Sequence, residues 1–188
     1  MRRRSFLAAV GTAMGTAGCV GSSRPRQPFR VSLPGSDGTF PVRHTCDGAG
    51  ESPAIAVESV PEPVVALAVT AESNRDAIIE PVHWTLWNVP ADREEIPAGL
   101  PRTATVETLG GARQGQPSNG SPGYEPLCPP PGGTAEYRFQ VYGLDASLEL
   151  PGGAAHDDAL DAITAAAVAS QRFVRAYERP ADAESGSE

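Results

Sequence analysis

The chain holds few side chains able to do chemistry, and its histidines are only three: His44, His83 and His156. An imidazole can pass a proton, bind a metal or donate to an oxyanion. A hydrolytic set can be drawn from Ser52 or Ser73, His83 and Asp76, but no nucleophile-elbow pattern surrounds either serine. A metal set of His44, Cys46 and His83 offers one H-x-C pair and lacks the second ligand pair such sites use. These residues imply no catalysis, no metal and no cofactor, which leaves hydrogen-bonded recognition. The phenols of Tyr124 and Tyr137 are further donors, though each also reads as a packing residue whose hydroxyl finds a local partner. Taken alone, His83 beside Trp84 reads as a half-buried structural histidine. Asp47 in T-C-D-G reads as a turn residue with Gly48 taking special backbone angles, and His156 as a solvated residue ahead of a helix.

Strands must position these groups. Val82–Val89 alternates, with Val82, Trp84 and Leu86 on one face and His83, Thr85 and Trp87 on the other. Ala135–Leu144 alternates too, setting Tyr137, Phe139 and Val141 together. Val64–Val69 is continuously apolar, as in a strand buried on both faces. Shorter candidates are Phe29–Leu33, Thr103–Leu109, Ser147–Leu150 and Phe173–Glu178. Prolines and glycines punctuate the intervals. One segment has helical period: Asp157–Gln171 places Leu160, Ile163, Ala167 and Val168 on a stripe, with three aspartates near its start. At least seven strands and one late helix predict an all-β antiparallel sandwich with a C-terminal helix.

Short motifs follow one another in a fixed order: T-C-D-G at 45–48, S-P at 52–53, V-H-W at 82–84, G-Y at 123–124, C-P-P at 128–130 and Y-x-F-x-V-Y at 137–142. A turn of the form I-P-x-G-x-P lies at 96–101. Together they resemble the phosphatidylethanolamine-binding protein family, in its prokaryotic Raf-kinase-inhibitor-like branch. The resemblance runs from Phe40-Pro41 to Tyr177-Glu178-Arg179. It implies two antiparallel sheets with C-terminal helical structure and one small anion-binding pocket.

In that family the pocket combines an Asp-Pro-Asp-Ala-Pro loop, the histidine of H-W, a G-P-x-P-P loop and an H-R-Y strand start. Here His83 and Trp84 keep the H-W pair and Tyr137 keeps the tyrosine, while Ala135 and Glu136 replace the histidine and arginine before it. The aspartate-rich loop has become Ser73-Asn74-Arg75-Asp76-Ala77, flanked by Glu72 and Asp76, with Arg75 as a new positive charge. Gly123 to Pro130 keeps the ends of its loop but carries Pro126-Leu127 at the centre. The resemblance thus implies a ligand-binding set of His83, Tyr137, Tyr124, Asp76, Asp47 and Pro129. It would hold a small anionic or phosphorylated ligand weakly, since one donor is lost. The alternative it implies is a protein-interaction or inhibitor module, of the kinase- or protease-inhibitor kind, with a vestigial pocket.

The N-terminus predicts export. Arg3-Arg4-Ser5-Phe6-Leu7 fits a twin-arginine signal, and Thr16-Ala17-Gly18-Cys19 fits a lipobox that places lipid on Cys19. The expected organisation is a signal over 1–19, a flexible tether over 20–28, a domain over 29–179 and an acidic disordered tail over 180–188. The chain would then sit on the outer face of the cell membrane, held by its lipid. All 15 basic residues are arginine, against 23 acidic ones and a net charge of −8. That balance fits the high salt of a haloarchaeal setting, where screening shortens to ~3 Å at 1 M. It also argues against nucleic acid as a partner, because no basic stripe exists to meet phosphates. With Cys19 lipidated, Cys46 and Cys128 remain as an even pair in a disulfide-permissive compartment, and the resemblance brings their two loops together at the pocket. Two free buried thiols are the other reading.

Overall fold

The alternating and apolar runs form two antiparallel sheets. The structure is a computed structural model that describes residues 27–33, 35, 38–74, 81–118 and 120–181. The signal, Cys19 and most of the acidic tail lie outside these residues, as do Arg75 and Asp76. The smaller sheet has the order β1 (Arg30–Ser32), β2 (Ile55–Ser59), β5 (Glu95–Ile96). The larger has the order β6 (Thr105–Val106), β7 (Ala112–Gln114), β4 (Val82–Pro90), β3 (Ala66–Asn74), β8 (Thr134–Leu144), β9 (Ala167–Glu178). One helix, α1 (His156–Ala166), precedes β9.

The first half of strand β3 is apolar, and its packing shows why. Leu67, Val69 and Ala71 face the smaller sheet and join Trp84, Leu86, Phe139 and Val141 in the main core. Ala66 and Ala68 face the other way, where Trp87, Leu144, Ala159 and Ile163 form a second cluster under α1. A central strand covered by a sheet on one side and a helix on the other has no solvent face to carry polar residues. Burial of an isoleucine such as Ile163 is worth about 1.5–3 kcal/mol, so this cluster suffices to dock the helix.

The expected strand at Thr103–Leu109 keeps only Thr105–Val106 before a 3-10 turn at Glu107–Leu109, and three further expectations need correction. The helix ends at Ala166, and the residues expected to extend it to Gln171 are the start of β9. Alanines at 165–167 fit either state, and pairing with β8 from Ala167↔Leu144 to Glu178↔Thr134 decides for strand. The last helical carbonyl is met by the Asp145 N–H at 3.0 Å, which removes any need for a glycine cap. Ser147–Leu150 is not a strand. Its backbone pairs with a side chain instead: Asn88, at φ 59°, donates Nδ2 to the Leu148 carbonyl (2.9 Å) and accepts the Leu148 N–H (2.8 Å).

The third correction concerns β4. Trp84 pairs with Ala71 and Val82 with Glu72, so His83 is an extra residue inserted between two paired positions of β4. This β-bulge breaks the strict alternation. It turns His83 away from the helix-facing side occupied by Thr85 and Trp87, toward the side where Ser73 and Tyr137 lie.

Candidate functional site

The bulge makes the site. His83 projects into a cavity of about 310 Å³ at the end of the larger sheet, where Ser73, near the end of β3, pairs with Tyr137, near the start of β8. His83 Nε2 and Ser73 Oγ share a 3.0 Å hydrogen bond. The Tyr137 ring meets the imidazole edge-on, with centroids 5.4 Å apart. Pro81, Val82 and Ser118 form one wall, and the loop residues Glu125, Pro126 and Cys128 the other. Ser118 Oγ accepts the Val82 N–H at 2.9 Å, which leaves its own proton to donate.

The neighbours of His83 are held firmly. Trp84 donates its indole N–H to Gln114 Oε1 (2.9 Å), and the Gln114 amide donates to the carbonyls of Pro101 and Thr103 at 2.8 and 2.9 Å. Gln114 is fully buried and saturated, a network no spacing in the sequence announced. The G-Y motif also has a local reason. Gly123 has φ 117°, and a Cβ there would lie 2.8 Å from Arg102 Cα, so only glycine lets the loop pass. The loop then returns to β4, where the Glu125 N–H donates to the His83 carbonyl at 2.8 Å.

The other expected ligand residues do different work. Tyr124 is buried against Trp84 and donates its hydroxyl to the His44 carbonyl at 2.7 Å; it does not line the cavity. Burial pushes its phenol well above the ordinary value of 10, so it stays protonated. Asp47 accepts the Tyr177 hydroxyl at 2.6 Å and the Arg179 Nε–H at 3.0 Å. Arg179 also donates to the Pro129 carbonyl at 3.3 Å, so Asp47 and Pro129 belong to one clasp behind the cavity. Gly48 has no positive φ; it is glycine because a Cβ would collide with the Val42 carbonyl oxygen and lie 2.6 Å from Arg43 Cα. Asp76 lies outside the described residues. Ser73, which the sequence offered as a hydrolytic candidate and as part of the altered loop, lines the cavity, as do Ser118 and Glu125, which stood outside the expected ligand-binding set.

Cys46 and Cys128 form a disulfide, with Cα atoms 5.3 Å apart. The Cys46 N–H donates to the Leu127 carbonyl at 3.1 Å, joining the same two loops through the backbone. Cys128 contributes to the cavity wall, so the bridge fixes one side of the site.

Glu72 and His156 lie on the opposite, helix-facing side of the sheet. Glu72 Oε1 is 3.2 Å from His156 Nε2, and its Oε2 accepts from Arg138 at 3.3 Å. The His156 bond, opposed by burial and helped by the Arg138 charge, holds the Glu72 carboxyl below its ordinary value. His156 Nδ1 and Thr85 Oγ1 share a 2.7 Å hydrogen bond, so this histidine is packed and bonded where solvation was expected.

Comparisons with known proteins agree with this architecture. The family model for phosphatidylethanolamine-binding proteins matches residues 33–178. The UPF0098 protein of Pyrococcus abyssi is 32% identical over 163 residues, covering 86% of this chain and 91% of its own length. LppC of Mycobacterium tuberculosis, described as a candidate lipoprotein, is 33% identical over 155 residues, covering 81% of this chain and 73% of its own. Escherichia coli YbcL, described as a new member of the mammalian PEBP family, superposes with a TM-score of 0.72. That match covers 80% of this chain and 98% of YbcL at 24% identity, and it shows a common fold. With a family model matched from β2 through the helix to β9, and relatives above 30% identity over most of their length, the chain belongs to the phosphatidylethanolamine-binding protein family.

Proposed function

We propose that this protein is a non-catalytic binding protein, exported and held at the outer face of the cell membrane by lipid on Cys19, whose cavity takes a small anionic or zwitterionic phosphate-bearing group. The observation that carries this reading is the convergence of four donor-bearing side chains, His83, Tyr137, Ser73 and Ser118, on one cavity of about 310 Å³. That volume lies at the small end of ligand pockets and suits a headgroup-sized compound. Imidazole, phenol and hydroxyl donors suit phosphate oxygens, while Glu125 offers an acceptor to any ammonium at the ligand's other end. The lipid anchor is supported by the lipobox at Cys19 and by the resemblance to LppC.

Titration with inorganic phosphate and with phosphoethanolamine, followed by calorimetry or by NMR of His83, tests the reading. His83→Ala is expected to weaken binding by about 10- to 100-fold, the equivalent of one hydrogen bond to a charged group at about 1.5–3 kcal/mol. Equal binding by both proteins removes the cavity as the ligand site and favours the protein-interaction alternative.

One observation favours a second reading. Ser73 Oγ and His83 Nε2 stand at nucleophile–base distance, as a hydrolase requires. Against it, Ser73 lies in the regular run of β3, is 2% exposed and has no elbow that would present its hydroxyl. Turnover of simple esters that disappears with Ser73→Ala would establish hydrolysis; no turnover by the native protein ends that reading.

A further inference from the structure

The point where the chain enters the domain and the mouth of the cavity lie at opposite ends of the larger sheet. Gln27, Pro28 and Phe29 line a cleft with Pro61, Pro63 and Val168. The Phe29 ring reaches Gly143, where an added Cβ would meet it at 3.4 Å. Gly143 pairs with Leu67 at the start of β3 and with Ala169 at the start of β9. The cavity lies at the other end, where Tyr137 pairs with Ser73. Tyr137 and Gly143 are six residues apart on β8, which at about 3.3 Å per strand residue separates the two ends by about 20 Å.

We propose that the entry end of the sandwich faces the membrane and that the cavity opens away from it, so that its ligand is a water-soluble phosphate compound and not a headgroup of the anchoring bilayer. The proposal rests on the lipid at Cys19 and on the cavity reading above. Eight residues lead from Cys19 to Gln27. Such a chain reaches at most about 29 Å when fully extended. Inverting the domain so that the cavity meets headgroups needs the chain to pass the whole flank of the sheet, beyond the about 20 Å between the ends. Little of its conformational freedom would survive. Among the described lining residues there is a Glu and no Lys or Arg to favour an anionic surface. The net charge of −8 adds repulsion from anionic headgroups, strongest at low salt.

The test uses the full acylated chain in vesicles that carry a small fraction of headgroup-nitroxide lipid. A fluorophore is attached at Ser118→Cys on the cavity wall or at Val65→Cys, an exposed position beside the entry end, with the native disulfide kept oxidised. Quenching is expected to be several-fold stronger at position 65 than at 118. Equal quenching, stronger quenching at 118, or a chain that fails to float with the vesicles overturns the proposal. Inorganic phosphate added outside vesicles that carry the unlabelled native chain should bind the anchored protein as tightly as the detergent-released protein. A clear loss of affinity on anchoring also overturns it. If phosphate binds neither form, the cavity reading fails, whereas the orientation stands or falls on the quenching alone.

Discussion

His44 shows how one buried side chain can set the acid sensitivity of a loop. It is fully enclosed beside Phe40, with ring centroids 5.3 Å apart. Arg43 Nε donates to its Nε2 at 3.0 Å, which leaves Nδ1–H to donate to the Glu51 carbonyl at 2.9 Å. Burial, helped by the Arg43 charge and opposed by the Glu51 bond, lowers its pKa from 6.5. The unfolded chain therefore takes up a proton near pH 6.5 that the native protein refuses. Stability is complete above that pH and falls as the pH drops from 6.5 toward the lowered native value. Between about pH 7 and 5.5 the melting temperature should fall, and His44→Gln should flatten that slope. Parallel curves for the two proteins would show that His44 is not the group responsible. The same scale explains which site residues could be read from the chain. His83 and Tyr137 stand in motifs and reach the cavity. Tyr124 and Asp47 stand in motifs equally good, yet their polar atoms are taken by His44 on one side and by Tyr177 and Arg179 on the other. A motif gives a residue's place in a loop, and only the neighbours brought from 80 or 130 positions away give its partner.

At the scale of elements, periodicity was a reliable guide wherever a segment had one environment. The cores of β3, β4 and β8 follow from their apolar runs and alternation. What the period could not give was the one-residue bulge at His83, because a bulge is a property of the pairing with β3 and not of β4 alone. Strands β5 and β6 have two residues each, too few for any period to register. The helix boundary failed for a related reason, since an alanine run carries no preference strong enough to oppose eleven pairings with β8. The helix itself is secured by a polar pin as well as by Ile163. His156 joins Thr85 of β4 to Glu72 of β3, and Thr85 is fully buried. His156→Ala should therefore destabilise the domain by about 1–3 kcal/mol, the cost of leaving a buried hydroxyl unmet. Asp157→Ala, an exposed change on the same turn, is the control and should leave the urea midpoint nearly unchanged. Equal midpoints for His156→Ala and the native protein would mean that apolar packing alone docks α1.

For the whole molecule, the decisive feature is how distant parts of the chain are tied behind the cavity. Cys46 and Cys128 are 82 residues apart, and Asp47 holds Tyr177 and Arg179 at the end of β9. These ties differ in kind. The clasp acts only in the native state, while the disulfide acts mainly by shrinking the unfolded ensemble, an effect of about 4 kcal/mol for a loop of this size. In a domain of roughly 150 residues, each kcal/mol moves the melting temperature by about 2–4 °C. Replacing both cysteines by serine should thus lower it by about 8–16 °C. The folded protein should nevertheless keep its cavity. The Cys46 N–H to Leu127 carbonyl bond needs no side chain, and the link from Asp47 through Arg179 to Pro129 joins the same two loops. The informative comparison is phosphate affinity in the double variant, measured well below its lowered melting temperature. Unchanged affinity would assign the bridge to stability alone. Lost affinity in a fully folded variant would mean that the covalent wall at Cys128 is needed to hold His83 and the facing loop at their working distance, and that the clasp cannot replace it.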